Sequence, residues 1–263
     1  MFAELITYIM TPCPQYVRHM DYVGEVIAMR ERYRRSRALW MPHLEHSRRF
    51  IVSAADRCRN RGRAVILGAG LLLDVPLEEL SALFGEVVLV DIVFLPEARR
   101  SASRFDNVKL VLYDVTNIAQ KLYENIQRGN FELPESTPAV PEIDEKTGLV
   151  VSLNILSQLW VVPRMYALRR LPSLDEELVH DWCRQIVESH YAYLRSMPSS
   201  VCLIADHEVI KCDRERRIAS RGSTVYNLEL PRPDASWTWN IVPMGDGRQY
   251  LSKELNVAAW HLR

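Results

Sequence analysis

The chain has 263 residues, 48% of them hydrophobic, which suits one large domain, or a domain with an appendage, and a sizeable buried core. Its 33 basic and 33 acidic side chains cancel, which excludes a protein that is basic throughout, and no run approaches the roughly 18 apolar residues of a membrane span. The five cysteines (Cys13, Cys58, Cys183, Cys202, Cys212) are scattered, odd in number and free of CxxC spacing, so a disulfide framework and a zinc site are excluded and a reducing compartment is implied.

The opening stretch, MFAELITYIMTPCPQY, is apolar in part but has no basic leader and no small-residue cleavage site, so the sequence reads as that of a soluble cytoplasmic protein. From about 20 to 62 the chain is polar and patterned for helices, with Leu39, Trp40, Leu44, Phe50 and Ile51 near helical spacing. Eleven arginines and three acids fall between Arg30 and Arg63, a patch that suits an anion, a nucleic acid or a solvated helical face. RAVILGAG then reads as a buried strand running into a turn, LDVPLEELSALFG as a helix and EVVLVD as a second strand. LPEARRSASRF is a short helix, NVKLVLYDV a third strand and TNIAQKLYENIQRG a further helix.

The proline- and acid-rich NFELPESTPAVPEIDEKTG is a surface loop, because the strand pattern resumes at once in LVVSLNI. A long helix from about Ser173 to Arg195 leads to the strand SSVCLIAD. This alternation of strand and helix predicts a parallel sheet with crossover helices. SWTWNIVP and LNVAAWHLR are too close for a crossover and are expected to form an antiparallel hairpin, with a turn at Gly245-Asp246-Gly247. The predicted fold is α/β: a Rossmann-like three-layer sandwich with a mostly parallel sheet, a C-terminal antiparallel hairpin and a helical N-terminal cap. The cap covers 1–62 and the Rossmann-like domain 63–263.

The element order, the glycine turn Gly68-Ala69-Gly70 after the first strand and the terminal hairpin together resemble the class I S-adenosylmethionine-dependent methyltransferases, over 63–263. The resemblance implies a sheet of seven strands with the last inserted antiparallel, an enzyme, and S-adenosylmethionine as cofactor. Two departures stand out: Val65 and Ile66, where the family usually has an acid before the glycine turn, and Leu72 in place of its third glycine. The same leucines break the GxGxxG of a dinucleotide site, whose tight turn serves a pyrophosphate that S-adenosylmethionine lacks. A nicotinamide-dependent oxidoreductase and a non-catalytic nucleoside-binding protein of the same fold remain the alternatives.

The candidate cofactor residues follow the strand ends, where open α/β sheets bind ligands. Gly68, Ala69 and Gly70 let a ligand approach the backbone. Asp91 ends the second strand at the spacing of a ribose-binding carboxylate. Asp114 and Val115 end the third strand, where the resemblance implies adenine, although Asp114 also suits a helix cap. Asn154 ends the fourth strand, beneath the methionine moiety in the resembled family, and is equally suited to capping.

For the acceptor, no Asp/Asn-Pro-Pro-aromatic motif follows the fourth strand, which lowers nucleobase chemistry. A small-molecule acceptor is favoured over nucleic acid, which the basic N-terminal region still allows. His207, between Asp206 and Glu208, is the general-base candidate, though a surface strand end would explain it as well. Tyr33, Arg34, Gln158 and Trp160 are the candidate acceptor contacts. A homodimer through the N-terminal surface is open. His43 and His46 share a helical face without a third ligand, so no metal is expected; His180 and His190 are expected to face solvent.

Overall fold

The computed structural model describes residues 2–243 and 251–262. The expected turn at Gly245-Asp246-Gly247 lies outside them. In chain order the elements are α1 (Phe2–Met10), α2 (Gln15–His19), α3 (Tyr22–Arg57), β1 (Arg63–Leu67), α4 (Leu77–Leu83), β2 (Glu86–Asp91), α5 (Pro96–Ala102) and β3 (Val108–Leu112). There follow α6 (Ala119–Gln127), β4 (Thr147–Leu153), α7 (Val161–Arg170), α8 (Glu176–Ser196), β5 (Ser200–Cys212), β6 (Ile218–Ser223), β7 (Ala235–Val242) and β8 (Ser252–His261).

Apolar residues on both sides of each central strand demand helices on both faces. Ala64 and Ile66 of β1, Val87 and Leu89 of β2 and Val151 and Leu153 of β4 pack in one core with Leu80 of α4, Ala98 of α5 and Trp40, Leu44 and Ile51 of α3. The alternate residues, Val65, Leu67, Val88, Val90 and Val150, face Val187, Tyr191 and Leu194 of α8. α6 and α7 complete that second layer by packing on α8 through Ile118, Leu122, Tyr166 and Ile186.

The sheet order is β3-β2-β1-β4-β5-β8-β7, with β6 paired to the far half of β5. β1 to β5 are parallel, and β8 runs antiparallel between β5 and β7. The expected sandwich and hairpin are therefore present, with β8 inserted and not left at the edge. The helices after β1 and β2 lie on one face and those after β3 and β4 on the other. The chain thus switches direction beside β1 and β4, and a cleft opens at their carboxyl ends.

Two elements were not foreseen. Helix α7 was hidden by Pro163, and β6 by its exposed, polar sequence IASRGS. One expectation is overturned: His190 is fully buried on the sheet side of α8, where Nε2 lies 3.0 Å from Ser152 Oγ of β4. Burial holds it neutral, down to about 4. His180, by contrast, is exposed.

The N-terminal segment has two parts. The first half of α3 packs Val23 and Ile27 on Val17, Val93 and Leu95. The helix departs from helical geometry at Ser36 (φ −115°, ψ 25°), ahead of Pro42, which lacks an N–H and crowds the preceding turn. Its second half joins the sheet core, so α3 residues and the strands share one interior across the boundary expected at 62.

Candidate functional site

The loop after β1 is shaped by backbone conformation. Gly68 has φ +83°, and a Cβ there would collide with Cγ2 of Ile155 and lie 2.8 Å from the Leu153 carbonyl oxygen, so only glycine fits against the end of β4. Gly70 has φ +43°, and its N–H donates to Asp91 Oδ2 at 2.8 Å. Leu72, in the third-glycine place, takes φ +59° and donates its N–H to Ala69 O. The turn keeps its left-handed geometry without its third glycine.

A cavity of about 300 Å³ opens over this loop. The sheet contributes Gly68, Ala69, Gly70, Asp91, Asp114, Val115 and Asn154, which are the cofactor candidates read from the sequence, and Gln158 follows them. The structure brings these residues together. It adds Tyr22, Glu25 and Met29 from the first half of α3, Trp40 and His43 from the second, Asp74 from the β1–α4 loop and Trp239 from β7.

Each strand-end residue is held by a defined bond. Burial pushes the Asp91 carboxyl up to about 6, against the lowering effect of the Gly70 and Val93 N–H groups. Asp114 Oδ1 accepts from the N–H and hydroxyl of Thr116 (2.9 and 2.6 Å), and Oδ2 accepts from Ala119 N–H at 2.7 Å. It thus caps the start of α6 while its side lines the cavity. Asn154 sits at φ +53°, a conformation asparagine tolerates, and its N–H extends the ladder to Ile204 O. Its Nδ2 donates to Asp74 Oδ2 at 2.9 Å and lies 3.4 Å from His43 Nε2, while its Oδ1 is buried without a partner.

His43 is fixed by aromatics. Its ring stacks on Trp239 (3.9 Å, 3°), which meets Trp40 edge-on, and Trp237 Nε1 donates to His43 Nδ1 at 3.0 Å. Burial holds the imidazole down at about 3, so it is neutral, and the bond at Nδ1 leaves its proton on Nε2. The sequence pattern presents His43 only as one of a histidine pair and gives Asp74 no role. Their partners lie 111 and 80 residues away, and no local spacing announces them. Among the described residues no group of three metal-ligating side chains occurs.

The remaining candidates lie elsewhere. His207 falls in a bulge of β5, between the β8-paired Asp206 and Glu208, and does not line the cavity. Trp160 donates to Thr224 O and meets Tyr226 edge-on, Tyr33 packs on Trp40, and Arg34 is exposed and paired with Glu31. Part of the arginine patch is engaged within the protein, and Arg35, Arg37, Arg57 and Arg59 stand exposed. Arg30 pairs with Glu31 and Glu97, Arg63 with Glu86 and Asp144, and Arg49 with Glu45, while Arg48 and Arg61 hold the carbonyls of Leu73 and Ala55.

The strand order, the antiparallel insertion of β8 and a glycine loop facing an acid at the end of β2 are the arrangement that the resemblance to class I methyltransferases implies. No protein-family model matches the sequence, and no curated protein matches it. Among solved structures, the chain is similar to DhpI in its SAM-HEP complex (14% identity, 95% of this chain and 85% of that chain, TM-score 0.38). It is also similar to a SAM-dependent methyltransferase from Leishmania major (14%, 97% and 82%, TM-score 0.32) and to an rRNA methylase from Streptococcus thermophilus (16%, 83% and 96%, TM-score 0.37). Among the described residues no helix is long and apolar enough to cross a membrane.

Proposed function

We propose that the chain is an S-adenosylmethionine-dependent methyltransferase whose acceptor is a small molecule. The observation that carries this reading is the meeting of Gly68, Gly70 and Asp91 at the switch point of a sheet with an inserted antiparallel last strand. The residues present fit the cofactor. The glycine loop leaves the backbone of Gly68–Gly70 bare in the cavity wall, Asp91 offers a carboxylate to ribose hydroxyls, and Asn154 Oδ1 is a buried acceptor without a partner. When bound, S-adenosylmethionine supplies an electrophilic methyl group on a sulfonium. The protein's own work is to hold and orient, as in-line displacement requires.

In this reading Asp91 accepts from the ribose, Gly68–Gly70 and Asn154 hold the methionine part, and Tyr113, Asp114 and Val115 flank the adenine. The second half of α3 and β7 close the acceptor side with Trp40, His43 and Trp239. A small acceptor is favoured because the cavity is walled by α3 and none of its described lining residues is lysine or arginine. His207 has no place in the cavity wall, so we assign it no part in the reaction.

Calorimetric titration with S-adenosylhomocysteine tests the reading. Saturable binding that Asp91→Ala abolishes is expected. Binding of NADH in its place would point to an oxidoreductase, and binding of neither to a protein without this chemistry.

A further inference from the structure

The cavity is acidic. Glu25, Asp74, Asp91 and Asp114 line it, and among its described lining residues none is lysine or arginine. His43, the one other ionisable nitrogen of the wall, is neutral and held by Trp237 and Trp239. S-adenosylmethionine, whose ammonium and carboxylate cancel, brings a single net positive charge. The four carboxyls exceed the one positive charge the cofactor brings; burial raises Asp74 and Asp91, Arg48 acts on Asp74 from outside the wall, and Glu25 stands exposed at the rim, so the cavity keeps a negative excess.

We propose that the acceptor is a small organic cation, an amine drawn in protonated by Glu25 and Asp74; it passes its proton to the Asp74 carboxylate, and the freed nitrogen lone pair takes the methyl from the sulfonium, leaving an N-methylammonium, a protonated Asp74 and S-adenosylhomocysteine. This rests on the methyltransferase reading and names the chemistry of its substrate. Asp91 and Asp114 are already engaged, the first by Gly70 N–H and the second by Thr116 and Ala119. Glu25 is exposed on the inner turn of α3, at the cavity wall. Asp74 keeps Oδ1 free of any hydrogen bond to the amide of Asn154, which meets only Oδ2. Arg48, whose guanidinium holds the Leu73 carbonyl, is the cation that acts on Asp74 from outside the wall. The aromatic faces nearby suit an ammonium as well as a ring. Anionic acceptors, phosphates and nucleic-acid backbones included, meet repulsion from the same carboxylates.

Three probes that share a ring and differ in charge test this: benzylamine, benzyl alcohol and benzoate, titrated calorimetrically into the full chain saturated with S-adenosylhomocysteine. Benzylamine is expected to bind at least tenfold more tightly than the alcohol, with no saturable heat from benzoate. Glu25→Gln, at an exposed position that leaves the fold intact, and Asp74→Asn should each cut the amine's advantage severalfold. Benzoate binding as tightly as benzylamine, no binding of any probe, or an amine advantage unchanged in both variants would overturn the proposal. The preceding S-adenosylhomocysteine titration is separate: its failure overturns the methyltransferase reading itself, whereas its success with a failed probe series overturns only the charge assignment.

Discussion

At Gly68 the backbone needs φ +83° and the end of β4 leaves no room for a Cβ. Gly68→Ala therefore combines left-handed strain with overpacking and should cost about 2–4 kcal/mol in urea unfolding, with S-adenosylhomocysteine affinity lost in any folded fraction. Asp91 carries a pH prediction. Its carboxyl is raised to about 6 in the free protein, and ribose hydroxyls bind the ionised form, so ligand binding expels a proton whenever the pH lies below that value. Affinity for S-adenosylhomocysteine should be flat above about pH 7 and fall towards tenfold per pH unit below 6, and a flat profile through that range would remove Asp91 from the site. Asp91 was legible in the sequence because strand end and spacing coincide. Asp74 and His43 were not, because what makes them site residues is their convergence on Asn154, a tertiary fact.

Among the elements, α3 and β7 decide the shape of the cavity. The stack of His43 on Trp239, with Trp40 edge-on and its Nε1 donating to Ile241 O, joins a helix near the start of the chain to a strand near its end. Trp239→Ala should destabilise the protein by roughly 3–5 kcal/mol, measured by urea unfolding, because a large buried ring leaves a cavity. The pairing of α8 with β4 gives a second prediction. His190 is neutral down to about 4 when folded but protonates near 6.5 when unfolded, so its contribution to stability is complete above that pH and is lost as pH falls towards 4. Relative to wild type, His190→Phe should gain about 1.4 kcal/mol per pH unit between 6.5 and 4. A constant difference would mean that His190 is charged in the fold. The strands of the parallel core were legible from their apolar runs. Helix α7 and strand β6 were not: one is interrupted by proline, and the other owes its existence to the neighbouring edge of β5 and not to its own sequence.

For the whole molecule, β8 is the closing element. It pairs along ten residues with β5 on one side and along seven with β7 on the other, burying Val257, Ala258, Ala259 and Trp260 between the two helical layers. A chain ending at residue 243 would leave β7 unpaired and the core of both faces open beside β5, so it should show no cooperative thermal transition by circular dichroism. A sigmoidal melt close to that of the full chain would refute this. By itself the sequence determined the α/β class, the strand ends that carry Gly68, Gly70, Asp91 and Asn154, and the hairpin, because these depend on local periodicity and on spacing along the chain. Only the tertiary structure decided that α3 bends so that both of its halves wall the cavity, that Asp74 and His43 converge on Asn154, and that carboxylates and no arginine face inward. Those outcomes are set by which distant segments share a core, and the free energy of that packing has no local signature in the chain.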